Sequence, residues 1–233
     1  MCGRFCIIFS YDELLAYFNL ATGKIEPCYN LAPSQEIPAV RMEQGTRKLA
    51  SLRWGLVPSW SKEPAPGFST INARSETAHA SPAFRSAFRH RRCLIPASGF
   101  FEWKREGKQK QPWYIHRKDG RPLAFAGLWE HWSNRDGSQT LESCAILTTA
   151  ANATVAELHD RMPVILEPGD FDLWLDPAEQ NHDRLAPLLR PAANDLLAMY
   201  PVSRYVNKPA NEGPECIAPL DPLLLEQQSS EPR

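Results

Sequence analysis

The chain has 233 residues, 43% of them apolar and 23% charged, and a formal net charge of −1. This apolar share is sufficient for a folded core, which excludes a disordered or collagen-like chain. No apolar run reaches the ~18 residues that a membrane-spanning helix requires, and the first residues lack the pattern of a secretory signal. We therefore expect a cytoplasmic protein without membrane association, in which the six cysteines are free thiols.

Short apolar runs in the first half of the chain predict strands. Residues 4–9 are typical of a buried strand, and Ser10 and Glu13 have the spacing of a capping box at the start of an amphipathic helix. Two more strands are expected at 49–57 and at 92–103, the second interrupted at Pro96 and Gly99.

A hairpin is predicted in the middle of the chain. Asp119 and Gly120 favour a tight turn with positive φ between the apolar runs 113–117 and 123–129. Further strands are expected at 143–149, 162–166 and 198–206, and helices at 154–159, 168–175 and 177–189. Because 21 prolines fix turns between short elements, the sequence predicts one α+β domain, mainly antiparallel sheet, followed from Pro219 by a loose tail.

The basic residues are unevenly distributed along the chain. Residues 85–118 contain ten Lys or Arg and only two acids, Glu102 and Glu106, so this window carries a charge of +8. Such a charge beside exposed aromatic rings is able to bind a phosphate backbone. A set of solvated loops is the alternative interpretation, so composition permits a nucleic-acid partner without establishing one.

The amino terminus offers a distinct chemistry. Because Cys2 is small, Met1 can be removed by processing enzymes, which leaves Cys2 as the first residue. A leading cysteine is a 1,2-aminothiol, and its amine, with a pKa of ~7.7–8.0, is partly neutral near pH 7. This amine can form a Schiff base with an aldehyde, after which the thiol closes a five-membered thiazolidine ring. The alternative is that Cys2 is an incidental small residue.

Three other segments carry side chains suited to such chemistry. Asn72 and Arg74 share one face if their segment is extended, so Asn72 can hold a polar group while Arg74 binds a phosphate. Glu102 stands in an aromatic run that would raise its pKa and suit it to general acid–base catalysis. His159 lies between a helix and an apolar strand and can exchange protons near neutral pH. Each also has an ordinary structural interpretation, as a turn residue, an exposed strand end or a core histidine.

Several longer motifs occur in a fixed order along residues 1–219. They are MCGRF at 1–5, YNLAPSQ at 29–35, RWGLVPSW at 53–60, INARSETA at 71–78, RCLIPASGFFEWK at 92–104, LTTAAN at 147–152, HDRMPVIL at 159–166 and NEGPECIAP at 211–219. Together they resemble the SOS-response-associated peptidase (SRAP) family, whose members shield abasic sites in single-stranded DNA by covalent cross-linking. The resemblance implies one SRAP domain over 1–219 with a barrel-like core, and it leaves 220–233 as a flexible tail.

The resemblance also implies roles for individual residues. The family's nucleophile matches Cys2, exposed when Met1 is removed by the chain itself or by another enzyme, and its other catalytic residues match Asn72, Glu102 and His159. Family contacts to DNA fall on Arg4, Asn30, Trp60, Arg74 and Arg161. Two positions depart from the family pattern: Ser98 stands where Asp is common, and Phe101 where Tyr is common. These departures affect hydrogen bonds around Glu102 and not the acid itself.

The resulting hypothesis is an abasic-site sensor that acts on single-stranded DNA as a monomer and is nucleoid-associated when bound. Glu102 and His159 assist the opening of the damaged sugar, and the Cys2 amine and thiol trap its aldehyde without a metal or an organic cofactor. Two alternatives remain open at this point. One is an amidohydrolase or peptidase with an amino-terminal cysteine nucleophile, and the other is a non-covalent reader of modified or damaged DNA.

Overall fold

Strands make up most of the regular structure in the computed structural model, which describes residues 2–64, 70–107 and 109–221. Of the predicted tail at 220–233, residues 222–233 lie outside this described part. The strands are β1 (Phe5–Ile7), β2 (Cys28–Leu31), β3 (Glu36–Glu43), β4 (Thr46–Trp54), β5 (Asn72–Arg74), β6 (Arg92–Ala97), β7 (Gly99–Glu106), β8 (Gln109–Arg117), β9 (Leu123–Ser133), β10 (Thr140–Ala150), β11 (Arg161–Pro163) and β12 (Leu197–Pro201). The helices are α1 (Tyr11–Phe18), α2 (Ser75–Ala78), α3 (Arg85–His90), α4 (Ala153–Ala156), α5 (Phe171–Leu175) and α6 (His182–Leu185), with 3-10 turns at Pro168–Asp170, Ala186–Leu188, Arg204–Asn207 and Pro214–Cys216.

Five of the strands close into a barrel. In the order β10-β4-β3-β6-β9 each strand hydrogen-bonds to the next, and β9 pairs again with β10. Within this ring β10 and β4 run parallel, whereas the other neighbours run antiparallel. Closure protects the edges of these strands, and β5 and β11 extend the pairing of β10 beyond the ring.

A second sheet covers the barrel. Its order is β12-β8-β7-β1-β2, and all of its neighbouring strands are antiparallel. The two layers share a hydrophobic core in which Phe5 packs edge to face against Trp54 and Phe125, with ring centroids 5.2 and 6.0 Å apart. Cys2 lies in the same core cluster. The α+β class and the barrel-like core are therefore confirmed.

The predicted hairpin between 113–117 and 123–129 is wrong. β8 pairs with β7 and β12, whereas β9 pairs with β6 and β10 in the other sheet. The turn itself forms, with Gly120 at a φ of +73°, but it carries the chain from one sheet to the other. Ile115 and Leu123 consequently meet in the core between the two layers. A turn motif indicates only a local reversal, and the neighbouring strands decide the pairing.

The helices differ from the predictions mainly in length. The capping box of α1 is confirmed, since Ser10 Oγ accepts from the Glu13 N–H and the Glu13 carboxylate accepts from the Ser10 N–H at 2.7 Å. The helix predicted at 177–189 reduces to α6 and a 3-10 turn, because Pro187 interrupts α-helical hydrogen bonding. Two other elements are shorter than predicted: 154–159 forms α4, and 198–206 forms β12. The segment 168–175 is helical over its predicted length, as a 3-10 turn followed by α5. β2 and β3 have no counterpart among the predicted strands.

Arg92 fastens several loops and helix ends to the barrel. The residue begins β6 and is 4% exposed. Its guanidinium donates to main-chain carbonyl oxygens on both sides of the strand, those of Phe88, Arg89, Trp174, Asp176 and Glu179. A planar group with five N–H donors is suited to such a set of acceptors, and a lysine is not.

Replacing Arg92 with Lys is expected to lower the free energy of unfolding by about 3 kcal/mol or more, because several buried carbonyl groups lose their donor. Urea denaturation followed by tryptophan fluorescence measures the change. The matched control is Arg190→Lys at an exposed position, for which we expect a change within about 0.5 kcal/mol. Equal stabilities of the two variants would contradict the role assigned to Arg92.

Candidate active site

The amino end of the chain is held at the junction of the barrel and the covering sheet. The Asn72 side-chain amide donates to the main-chain carbonyl oxygen of Cys2 at 2.9 Å. Asn72 begins β5, whose parallel pairing with β10 fixes it to the barrel wall. Three residues after Cys2, Phe5 pairs with Phe100 in the covering sheet. Both layers therefore determine where residue 2 lies.

Glu102 is a buried acid next to Cys2. It lies on β7, two residues after Phe100 and on the same face, and is 3% exposed. Burial raises the pKa of the Glu102 carboxyl, although the nearby His159 opposes this shift. Burial and then the charge of Glu102 raise the pKa of the Cys2 thiol. The thiol is consequently protonated at neutral pH.

His159 shares a cleft with Glu102. Its backbone N–H donates to Val155 O, which places it just after α4. Its Nδ1 accepts from the Arg161 N–H at 2.9 Å and lies 2.9 Å from Asp160 Oδ1. The cleft has a volume of about 510 Å³. It is lined by Arg4, Glu102, Trp103, Arg105, Lys110, His159 and Asn207.

Arg4 and Asn30 form one hydrogen-bond network at the wall of this cleft. Arg4 donates to Asn30 Oδ1 and to the carbonyl oxygen of Val206, both at 2.8 Å. The Asn30 amide donates to Val206 O and to the carbonyl oxygens of Lys208 and Asn211. The network ties β1 and β2 to the segment after the last strand, and it leaves the Arg4 guanidinium on the cleft surface.

The other three residues that the sequence assigns to DNA binding are placed differently. Arg74 ends β5, two residues after Asn72, and is exposed. Arg161 is 14% exposed and forms a bidentate ion pair with Glu76. Trp60 is 68% exposed and donates its indole N–H to the carbonyl oxygen of Pro82. Thus Cys2 and the predicted catalytic side chains converge, while Trp60 stands on the outer surface.

The basic window at 85–118 is not a single patch. Arg91 pairs with Glu130, and the buried Arg117 pairs with Asp119 and Glu167 at the surface. The buried Arg92 is likewise occupied. Of the exposed members, Arg85 and Arg89 lie on α3, and Lys104, Arg105 and Lys110 lie on the β7–β8 hairpin. The part of this charge that borders the cleft is therefore much smaller than +8.

Several residues near the site have no assigned role in the sequence analysis. Trp103 and Asn207 form one wall of the cleft, where the indole N–H donates to Asn207 Oδ1 at 2.8 Å. No sequence signal marks Asn207, because it comes from a distant 3-10 turn. Of the two departures from the family pattern, Ser98 accepts from the Ile8 N–H at 2.8 Å, and Phe101 packs against Tyr114.

Two further features bear on the site's chemistry and setting. Within residues 2–64, 70–107 and 109–221, no three His, Cys, Asp or Glu side chains are grouped closely enough to hold a metal ion. In that same part of the chain, no helix combines the length and the apolar character needed to cross a bilayer.

Comparison with known proteins shows which family the chain is similar to. The sequence model of the SOS response associated peptidase (SRAP) family matches residues 1–209. The abasic site processing protein YoqW of Bacillus subtilis is 42% identical over 222 residues, which cover 93% of this chain and 99% of YoqW. The abasic site processing protein HMCES of Xenopus tropicalis is 34% identical over 228 residues, which cover 84% of this chain and 67% of HMCES.

Solved structures agree with the sequence comparison. The crystal structure of a protein from Bordetella bronchiseptica superimposes with a TM-score of 0.76 at 29% identity, covering 87% of this chain and 100% of its own. A protein from Bacteroides thetaiotaomicron gives a TM-score of 0.75 at 26% identity, covering 83% of this chain and 85% of its own. With the family match over most of its length and relatives of this identity, the chain belongs to the SRAP family.

Proposed function

We propose that this protein processes abasic sites by forming a covalent cross-link between Cys2 and the damaged sugar in single-stranded DNA. The observation that carries the proposal is the Asn72–Cys2 hydrogen bond of 2.9 Å, which holds residue 2 beside the buried Glu102. The names of the curated relatives supply the class of substrate. Removal of Met1, by the chain itself or by an aminopeptidase, then exposes the Cys2 amine.

The first step joins the Cys2 amine to the sugar aldehyde. An abasic deoxyribose exchanges between a closed hemiacetal and an open aldehyde, and Glu102 and His159 move the protons of this opening. The neutral amine adds to the aldehyde carbon, and protonation of the resulting hydroxyl by an acid releases water and leaves an imine. Glu102 is suited to be that acid because burial raises its pKa. Asn72 keeps the main chain of Cys2 in place throughout.

The second step closes a ring that stabilises the link. The thiol sulfur adds to the imine carbon, and the thiol proton is transferred to the nitrogen through a neighbouring base, so no atom is lost. The raised pKa of the Cys2 thiol means that this proton has to be removed during the step, and Glu102 in its ionised form is placed to receive it. The product is a thiazolidine, which has no iminium group to promote β-elimination and strand breakage.

Contacts outside the reaction centre hold the strand. The guanidinium groups of Arg4, Arg74 and Arg161 are assigned to phosphates, to which arginine binds through paired N–H donors. Asn30 fixes Arg4 at the cleft wall. The exposed ring of Trp60 is available to stack on a base, a contact worth about 1–3 kcal/mol. A single strand suits this site because its lesion does not have to be flipped out of a duplex.

The central test is cross-linking to an oligonucleotide that contains one abasic site. The processed protein should give a denaturation-resistant adduct whose mass is that of protein plus DNA less one water. Cys2→Ala should give none, although its amine still forms an imine that borohydride traps. Cys28→Ala, which changes a half-buried cysteine on β2, is the matched control. A permanent adduct with Cys2→Ala, or none with the processed protein, would exclude the proposal.

Glu102→Gln tests the acid and its environment together. We expect adduct formation to slow by about tenfold to a hundredfold, because proton transfer by a positioned side chain contributes at least that much. Single-turnover kinetics at saturating DNA measure this change. The exposed Glu157→Gln serves as the control. Rates equal to those of the control would remove Glu102 from the reaction.

The same variant should be more stable than the parent at neutral pH. Burial raises the pKa of Glu102 in the folded state, so folded protein binds this proton more tightly than unfolded protein does. The parent is therefore expected to lose stability relative to Glu102→Gln as the pH rises from ~4.3, the pKa of an unfolded Glu, to the higher pKa of the folded state. The total loss is about 1.4 kcal/mol for each unit by which folding raises this pKa. Urea denaturation between pH 4 and 8 measures the difference. A variant less stable than the parent at pH 7 would contradict the raised pKa.

Arg74→Ala tests a phosphate contact at the end of β5. It should weaken binding to undamaged single-stranded DNA and reduce the slope of log affinity against log salt by about 0.7, the value for one phosphate on a single strand. Fluorescence anisotropy at several salt concentrations gives the slope. Arg135→Ala, in the exposed turn between β9 and β10, is the control. An unaltered slope for Arg74→Ala would exclude this contact.

A further inference from the structure

The guanidinium of Arg161 is already engaged within the protein. Its two terminal nitrogens donate to the two carboxylate oxygens of Glu76 at 2.6 and 2.8 Å. The nitrogen nearer Glu76 Oε2 also donates to the main-chain carbonyl oxygen of Thr148 at 2.6 Å. The forked face of the guanidinium, which would bind a phosphate bidentately, is thus occupied by a carboxylate.

Glu76 stands between two arginines assigned to the DNA strand. It lies in the first turn of α2, two residues after Arg74, and its side chain is 49% exposed. The hydrogen bonds from Arg161, and more weakly the charge of Arg74, lower the pKa of Glu76. Its negative charge therefore persists at neutral pH, at a position where a phosphate would otherwise lie.

We propose that Glu76 is an internal competitor for the DNA phosphate, which the strand displaces from Arg161 when it binds. This inference rests on the proposed function, since it takes Arg161 and Arg74 as phosphate contacts. A carboxylate and a phosphate both pair with the guanidinium fork, so each excludes the other from it. Glu76 lowers the affinity for any single strand, whereas the covalent step at Cys2 retains only strands that carry an aldehyde. Glu76 thereby weakens the reversible binding that precedes the covalent step, and the covalent step selects the lesion.

The displacement can occur without disturbing the reaction centre. The backbone of Arg161 is fixed by the ladder between β11 and β10, in which Ala150 pairs with Arg161. Its N–H therefore continues to donate to His159 Nδ1 when the side chain exchanges partners. Strand binding and proton transfer are separated in this arrangement, because one uses the side chain of Arg161 and the other uses its main chain.

The direct test is Glu76→Gln with undamaged, fluorescein-labelled single-stranded DNA. We expect about three- to fivefold tighter binding, since an exposed carboxylate–guanidinium pair contributes up to about 1 kcal/mol. The matched control is Glu43→Gln at the far end of the barrel. There, Glu43 pairs with Arg41 at 2.6 Å, with side chains 43% and 12% exposed, against 2.6 Å, 49% and 14% for Glu76 and Arg161. Unchanged or weaker binding by Glu76→Gln would overturn the inference.

A double-mutant cycle separates displacement from a general effect of charge. In an Arg161→Gln background, the gain from Glu76→Gln should fall below about 1.5-fold, because no guanidinium remains to be released. A gain that persists in full would show that Glu76 acts only as a nearby negative charge and would overturn the inference. Thermal unfolding of each variant confirms that it is folded, and Glu76→Ala provides a second side chain for the same comparison.

Competition measures the same binding effect during the covalent reaction. With the abasic oligonucleotide held below its dissociation constant, the concentration of undamaged strand that halves the rate of adduct formation should be about three- to fivefold lower for Glu76→Gln than for the parent. The two proposals fail separately. If the parent gives no adduct but Glu76→Gln still binds undamaged DNA more tightly, the cross-linking function fails and the competitor remains. If adducts form and neither binding nor competition changes, the competitor fails and the function remains.

Discussion

The hydrogen bond from the Asn72 amide to the Cys2 carbonyl oxygen fixes a chain end that would otherwise be free to move. Terminal residues are usually poorly ordered unless something ties them down. Here the two sides of the tie belong to different layers, since β5 carries Asn72 on the barrel and β1 joins the covering sheet through Phe5. The position of residue 2 therefore depends on the packing of one layer on the other, and the large rings of Phe5, Trp54 and Phe125 are part of the site's support.

That support is needed because the site contains a group whose charge is unfavourable there. Glu102 is 3% exposed and lies beside a buried thiol, and burial opposes the ionisation of both. A flexible strand would relieve this by turning the carboxyl to water. β7 cannot do so, because it is paired on one side with β1 and on the other with β8. The same constraint that raises the pKa of the acid also fixes its distance from residue 2, so reactivity and rigidity have one structural origin.

The sequence predicted local features well and long-range partners poorly. The capping box at Ser10 is determined by residues three apart and forms as expected. The hairpin at Asp119 and Gly120 fails because its strands join different sheets, a matter decided by residues far away in the chain. The prediction of a basic surface at 85–118 fails for the same reason, since no local pattern reveals that Arg92 is buried among main-chain carbonyl groups. Strands, turns and caps follow from neighbours in sequence, and the partners of arginines do not.

The same distinction between local features and long-range partners applies to the candidate site. Side-chain chemistry alone marked Cys2, Asn72 and Glu102 as reactive or polar groups worth attention, but their convergence required the barrel and the sheet together. Glu76 is another example. Its motif at 71–78 is evident in the sequence, whereas its contact with Arg161, 85 residues away, is not. Under the proposed function, the protein keeps its target by a covalent bond and does not need tight reversible binding to the whole strand. In that proposal, weak contacts to phosphates would allow rapid release from undamaged DNA, and the reaction with the aldehyde would make the capture permanent. The ion pair of Glu76 with Arg161 fits that proposed division of labour, because it would reduce the affinity for every strand equally and leave the covalent chemistry to discriminate.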